Sequence, residues 1–204
     1  MKQAALDAFP DFTERLEGKV PTMYRDILGL VTVGYGCLID PVGLAVIQPF
    51  VHRETKLPAS RSEIAAEWNT VKAHANPKLH WKYAAKLCNL EMTLTGMIDL
   101  LENRLALFES QLKGVFPDWD QWPADAQFAT MSMSWAMGAG FTKKFTTWTK
   151  CALAQSWLGC AKQCLMRTAG NPGLIPRNKA NVRLFTAAAA TENPDQLTWR
   201  ALYG

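Results

Sequence analysis

Histidine and cysteine are too few and too scattered in this 204-residue chain to build what they usually build, with three of the first and five of the second. Cys37, Cys88, Cys151, Cys160 and Cys164 are odd in number, form no CxxC pair and have no histidines beside them at metal-ligand spacing. That argues against a disulfide framework and against a zinc site. All five are read as reduced thiols of a protein made in a reducing compartment, with Cys160 and Cys164 at a common helical packing interval. No run of about eighteen apolar residues occurs, so neither a transmembrane helix nor stable membrane insertion is expected. The opening Met1-Lys2-Gln3-Ala4-Ala5-Leu6-Asp7 lacks the uninterrupted apolar stretch of a signal peptide, and action outside the cytoplasm would need another carrier. Internal repeats are absent, and the only low-complexity tract is Ala187–Ala190.

What is present is a core and a charge asymmetry. Hydrophobic residues make up 49% of the chain and charged residues 20%, enough for one globular unit that needs no staples. Eight tryptophans are a generous supply; tryptophan is often core, and it is also a favoured platform for the apolar faces of sugars. The net charge of +4 is uneven, because residues 142–204 carry nine basic and two acidic side chains. Such a half suits an anionic partner such as nucleic acid, a membrane surface or a bacterial cell wall, and equally suits a solvated face. No helix shows a Lys/Arg stripe interleaved with aromatics, so nucleic acid is not expected as a partner.

Periodicity predicts an α+β, mainly α chain with a small N-terminal hairpin lobe over 1–94 and a larger helical lobe over 95–204, together forming a single domain. An opening helix has Pro10 as the start of its main part and Gly18 as its stop. Leu30-Val31-Thr32-Val33 is β-branched and follows a Leu28-Gly29 turn signal, which predicts a hairpin. Residues 37–59 hold Pro41, Gly43, Pro49 and Pro58 and read as irregular connection with one short element. Ser60-Arg61-Ser62-Glu63 is a capping box opening a helix to about Lys72. A break is expected over 76–82. Met97, Ile98, Leu101, Leu105 and Phe108 recur at helical spacing within 95–112. Further helices are expected from Pro123 to Met137, over 142–150, 152–168, 177–190, and from Pro194 to 203.

The chemistry-bearing cluster is Glu17-Gly18, Tyr24-Arg25-Asp26, Gly29 and Thr32-Val33-Gly34-Tyr35-Gly36. A carboxylate ending a helix and a second on a nearby hairpin can flank one groove. Glycosidic cleavage needs such a pair, one group protonating the leaving oxygen and the other handling water or the developing cation. The two must sit in different surroundings so that only one holds its proton. Taken alone, a Glu and an Asp nine apart among glycines are more often surface residues flanking a turn.

The register is more specific than the pair. Glu17 followed by Gly18, Tyr24 two before Asp26, Thr32 six after it, and the ending Gly34-Tyr35-Gly36 together resemble the phage-type lysozymes of glycoside hydrolase family 24. Ser132-Met133-Ser134-Trp135-Ala136-Met137-Gly138 is similar to that family's central buried helix. Gly173-Leu174-Ile175-Pro176-Arg177 with Leu184-Phe185 is similar to a pattern of phage endolysins. The matched segments span roughly residues 9–186. Cys37 stands where the family often has His, Asn178 and Asn181 replace an Arg and a Glu, and residues 40–93 form a longer insertion.

The resemblance implies a lysozyme-like fold and hydrolysis, without metal or cofactor, of the β-1,4 bond between N-acetylmuramic acid and N-acetylglucosamine in peptidoglycan. It implies Glu17 as general acid, Asp26 with Thr32 placing the attacking water, and Tyr24, Gly36, Leu38, Trp135 and Arg177 at the substrate. A monomer is expected, acting on the cell wall in the periplasm after secretion or release. Phe116-Pro117-Asp118-Trp119 with Trp122-Pro123-Ala124-Asp125-Ala126-Gln127 resembles lysozyme-like effectors of type VI secretion, which implies an immunity protein occupying the groove beside Glu17; the alternative role is a phage endolysin. Two other activities stay open, a lytic transglycosylase and a non-catalytic wall-binding module. Retention of Asp26 and Thr32 argues against the first, and retention of Glu17 and Asp26 against the second.

Overall fold

The computed structural model describes residues 1–75 and 81–199. Helix takes 57% and strand 10%, so the chain is α+β and mainly α. It divides into two compact units, one of residues 13–104 and one of residues 1–12 with 105–204. This boundary differs from the expected division at 94/95. One cause is aromatic: buried Phe9 and Phe12 sit edge-on to Phe128 at 5.5 and 4.9 Å, which ties the first residues to the helical unit.

Helix α1 spans Gln3–Glu17, and Pro10 lies inside it rather than at its start. Proline there removes one amide from the helical ladder, yet the turn before it already forms, with Ala5 and Leu6 amides bonded to the Lys2 carbonyl at 3.0 and 3.2 Å. The expected stop is present: Gly18 has φ +79 and its N–H reaches the Glu14 carbonyl at 2.9 Å.

In the unit of residues 13–104, β1 (Val20–Arg25), β2 (Val31–Gly34) and β3 (Cys37–Leu38) form an antiparallel sheet in that order. The β1–β2 register shifts between Val20↔Gly34 and Tyr24↔Thr32, a bulge that re-aims the strand end. Val31, Val33 and Cys37 are fully buried and supply core. The stretch expected to be irregular with one short element holds two after β3, α2 (Val42–Ala45) and β4 (Phe50–His52), with β4 pairing antiparallel to β5 (Leu90–Met92). Helix α3 (Arg61–Ala73) starts at the predicted capping box, in which Ser60 accepts from Glu63 N–H and Glu63 accepts from Ser60 N–H. Trp68 on α3 donates its indole N–H to the Ile39 carbonyl at 3.0 Å. Of the break expected over 76–82, residues 76–80 lie outside the described residues, and a short helix α4 follows at Trp81–Ala84. Helix α5 (Leu94–Lys113) buries Met97, Leu101 and Leu105, as its periodicity predicts.

The helical unit contains α6 (Ala124–Met137), α7 (Thr146–Leu153), α8 (Trp157–Gln163) and α9 (Leu174–Ala190). Every residue of α6 from Ala124 to Ser134 is buried. Two of its buried hydroxyls are satisfied within the helix, Thr130 by the Ala126 carbonyl at 2.7 Å and Ser134 by the Thr130 carbonyl at 3.1 Å. The helix expected over 152–168 is broken before Trp157 and ends at Gln163. Residues 194–198, expected to be helical, are not. Their backbone caps α6 instead: the Pro194 carbonyl accepts Ala124 N–H at 2.7 Å, and Thr198 N–H donates to Asp125 at 2.9 Å. Six of the eight tryptophans are core, namely Trp68, Trp119, Trp122, Trp148, Trp157 and Trp199. Most of the tryptophan supply therefore builds the interior and offers no face to a sugar.

Candidate active site

Three expected site residues form one cross-strand row. Thr32 lies opposite Tyr24 on β1 and opposite Leu38 on β3, so all three side chains share a face of the sheet. Thr32 is buried, Tyr24 and Leu38 half-buried. The Thr32 hydroxyl donates to the Leu30 carbonyl at 3.2 Å, which leaves its oxygen as an acceptor.

Asp26 begins the tight connection from β1 to β2. Its backbone N–H meets the Leu30 carbonyl at 3.0 Å, and its Oδ1 accepts the Leu28 and Leu30 amides at 2.8 and 2.9 Å. Aspartate is the residue type for this role because its short side chain bonds the backbone two residues on. All of the carboxylate's bonds go to one oxygen, so the turn fixes the orientation of Oδ2.

The loop is braced from α3. The Lys72 ammonium donates to the Gly29 carbonyl at 3.0 Å and to Asp40 at 2.6 Å, and Asp40 also accepts Val31 N–H at 3.0 Å. Burial works to raise the Asp40 pKa, but the Lys72 hydrogen bond and the Val31 amide outweigh it and hold the carboxyl below the usual range. Arg25, one residue before Asp26, closes the end of α3 through the Lys72 and His74 carbonyls at 3.2 and 2.7 Å.

Glu17 is the last residue of α1 and is exposed. Its side chain passes over the backbone of Gly36: a Cβ at that glycine would sit 3.3 Å from Glu17 Cβ and Cγ and 3.5 Å from Oε2. Gly36 has φ +79, so the position needs glycine for its backbone angle and for this approach together. Beside it, Cys37 is driven up to about 11, first by burial and also by Glu17, against the pull of Arg104. Arg104 of α5 donates to the Leu38 carbonyl at 2.6 Å, holding the last strand of the row.

Tyr24 links the two acids. Its hydroxyl is pushed well above the ordinary tyrosine value, first by burial, then by the negative charges of Glu17 and of Asp26. Both carboxylates therefore lie within electrostatic reach of one phenol. Lys72, Asp40 and Arg104 are absent from the sequence-based expectation, and Arg25 stands there only within the run Tyr24-Arg25-Asp26, because their contacts cross between elements and no local motif records them.

The remaining two expected residues lie in the helical unit. Trp135 is half-buried near the end of α6, edge-on to Phe9 at 5.4 Å and to Phe108 at 6.2 Å. Arg177, expected at the substrate, is corrected by its burial: it is 1% exposed, donates to Ser132 O and Oγ at 3.2 Å, and lies 5.8 Å from the Phe12 ring centroid. A guanidinium enclosed in this way packs the helical unit and offers no surface to a sugar. Asn178, beside it, bonds both ways with the Met166 backbone at 2.9 and 2.7 Å.

Among the described residues, no group of three or more metal-binding side chains converges. Among the described residues, no helix is long and apolar enough to cross a membrane. All five cysteines are free thiols, Cys151 alone being incompletely buried. No protein-family model matches the chain, and no curated protein resembles it closely enough to count as a relative.

Proposed function

We propose that the chain is a muramidase resembling the phage-type lysozymes, hydrolysing the β-1,4 bond between N-acetylmuramic acid and N-acetylglucosamine. The observation that carries this reading is the strand register that sets Thr32 directly across from Tyr24, a half-buried phenol on which the charges of both Glu17 and Asp26 act. A metal-free glycosidase needs two carboxyl groups in unlike surroundings, and here one ends a helix in solvent while the other is locked by a turn.

In the proposed reaction Glu17, protonated, gives its proton to the glycosidic oxygen as the C1–O bond breaks. A water held by Asp26 and the Thr32 oxygen attacks C1 from the opposite face and loses its proton to Asp26. The product sugar emerges as the α-anomer, and the two carboxyl groups have exchanged protonation states. The bond lost and the bond formed are both C–O, so no electron acceptor or metal enters.

The basic side chains Lys143, Lys144, Lys150, Lys162, Arg167, Lys179 and Arg183 are exposed, which suits an anionic wall polymer as partner. The proposed site of action is the periplasm of a target or host bacterium, reached by release as an endolysin or by injection as a type VI toxin. In the second case the producer needs an immunity protein that covers Glu17. The test is purified protein on isolated peptidoglycan with the released muropeptides weighed. Muropeptides with hydrated reducing ends support hydrolysis; anhydro-muramic ends assign a lytic transglycosylase; no release assigns a wall-binding module.

A further inference from the structure

A second place in the unit of residues 13–104 has the form of a binding site. A cavity of about 600 Å³ opens where the turn after β4 meets the start of β5, lined by His52, Arg53, Lys56, Cys88, Asn89 and Glu91 among others, and by none of the proposed catalytic residues. Its size falls in the range of roughly 300–1,000 Å³ typical of small-ligand sites.

The walls are rigid and carry both charges. Arg53 is held by three backbone contacts: its amide to the Asn89 carbonyl at 2.9 Å, and its guanidinium to the Ala85 and Cys88 carbonyls at 2.8 and 3.0 Å. Its Nε lies 3.9 Å from Glu91, and Glu91 pairs with the Lys56 ammonium at 2.5 Å. Lys56 holds φ +60, the left-handed region that a residue with a Cβ seldom adopts, and its amide is fixed to the His52 carbonyl at 2.8 Å. On the β5 side, the buried Glu67 carboxylate accepts the Asn89 and Leu90 amides at 2.6 and 3.0 Å and pins that wall. Arg53 and Lys56 line this space together with Glu54 and Glu91, so the formal charges of these four side chains cancel, and Lys56 and Glu91 are paired with each other. A purely anionic ligand would meet two carboxylates there, and a purely cationic one two cations. A ligand carrying both charges can match both pairs.

We infer that this cavity binds the zwitterionic end of an α-amino acid, its carboxylate on Arg53 and Lys56 and its ammonium on Glu91 and Glu54. The source is the peptide stem of peptidoglycan, where a cross-linking diamino acid exposes a free ammonium and a free carboxylate on one carbon. Assignment to the stem rests on the muramidase reading; the match to a zwitterion does not.

The probe is a synthetic stem tripeptide ending in a diamino acid with a free zwitterionic terminus, titrated into the full chain by calorimetry. Saturable binding is expected, weakened at least tenfold by N-acetylation of the terminal ammonium and by the paired substitution Lys56→Ala/Glu91→Gln, and unchanged in Glu17→Gln. Equal affinity for the acetylated peptide overturns the inference without reference to any variant. Tighter binding of the free diamino acid than of the stem tripeptide would move the ligand to a soluble source and overturn the stem assignment. Glycan strands stripped of peptide separate the two readings. Cleavage of those strands without stem binding sinks this site and spares the muramidase; stem binding with neither peptidoglycan nor stripped glycan cleaved does the reverse.

Discussion

Replacing Gly36 by alanine separates what the glycine does for the backbone from what it does for Glu17. At φ +79 an alanine costs about 1–2 kcal/mol over glycine. In a chain of this size each kcal/mol is worth about 2–4 °C, so the melting temperature should fall by roughly 2–8 °C. The added Cβ also meets Glu17 Cβ and Cγ at 3.3 Å, inside the 3.5–4.0 Å of comfortable carbon contact, and Glu17 must shift by a few tenths of an ångström. If a displacement of 1 Å costs about a hundredfold in rate, a third of that costs roughly fourfold. Gly170→Ala is the control: φ is +82, no atom lies within 4 Å of the added Cβ, and the residue belongs to the helical unit. Melting is followed by circular dichroism and turnover by release of reducing ends at 25 °C. Both variants should lose similar stability, and only Gly36→Ala should lose rate. Wild-type turnover in Gly36→Ala, or an equal rate loss in Gly170→Ala, would refute the placement of Glu17 against this glycine.

Lys72→Met should lower stability at neutral pH by about 1–2 kcal/mol, at the low end for charged hydrogen bonds because Lys72 is 36% exposed. Since the folded pKa of Asp40 is depressed, that contribution is present above about pH 4 and disappears as pH falls through the folded value, so the melting curves of the two proteins should converge in acid. Asp125→Asn carries the opposite sign. Burial raises Asp125 against the pull of the Thr198 amide and hydroxyl, so the wild type loses stability as pH rises through the folded value. The variant should melt higher than wild type at pH 7, and the gain should vanish below about pH 4; an unchanged gap across the titration would contradict this. Native alkylation read by mass spectrometry should label Cys151 alone, and labelling of Cys37 would contradict its burial.

The hairpin, the capping box at Ser60 and the periodic helix over Leu94–Lys113 were legible because their signals are local: β-branching, a capping pair and a 3.6-residue repeat. The row of Tyr24, Thr32 and Leu38 was legible only as a spacing, and the strand register is what turns it into a shared face. Pro10 misled because helix context tolerated a missing amide that local preference penalises. Residues 194–198 misled for the opposite reason, since a Pro start signal was overruled by the unpaired amides of α6. Arg177 was read as a surface group because sequence does not report burial, and its guanidinium turns inward to Ser132. The brace on the turn after Asp26 comes from Lys72, which reaches Gly29 and Asp40 over 43 and 32 residues of chain, and no short motif carries such information.

Turnover of isolated peptidoglycan by wild type and by Glu17→Gln, compared after circular dichroism establishes equal folding, bears most directly on the account. Loss of a general acid should slow the release of reducing ends by at least about a hundredfold. Wild-type rates in the glutamine variant would mean that Glu17 is not the proton donor, and the proposed chemistry would fail.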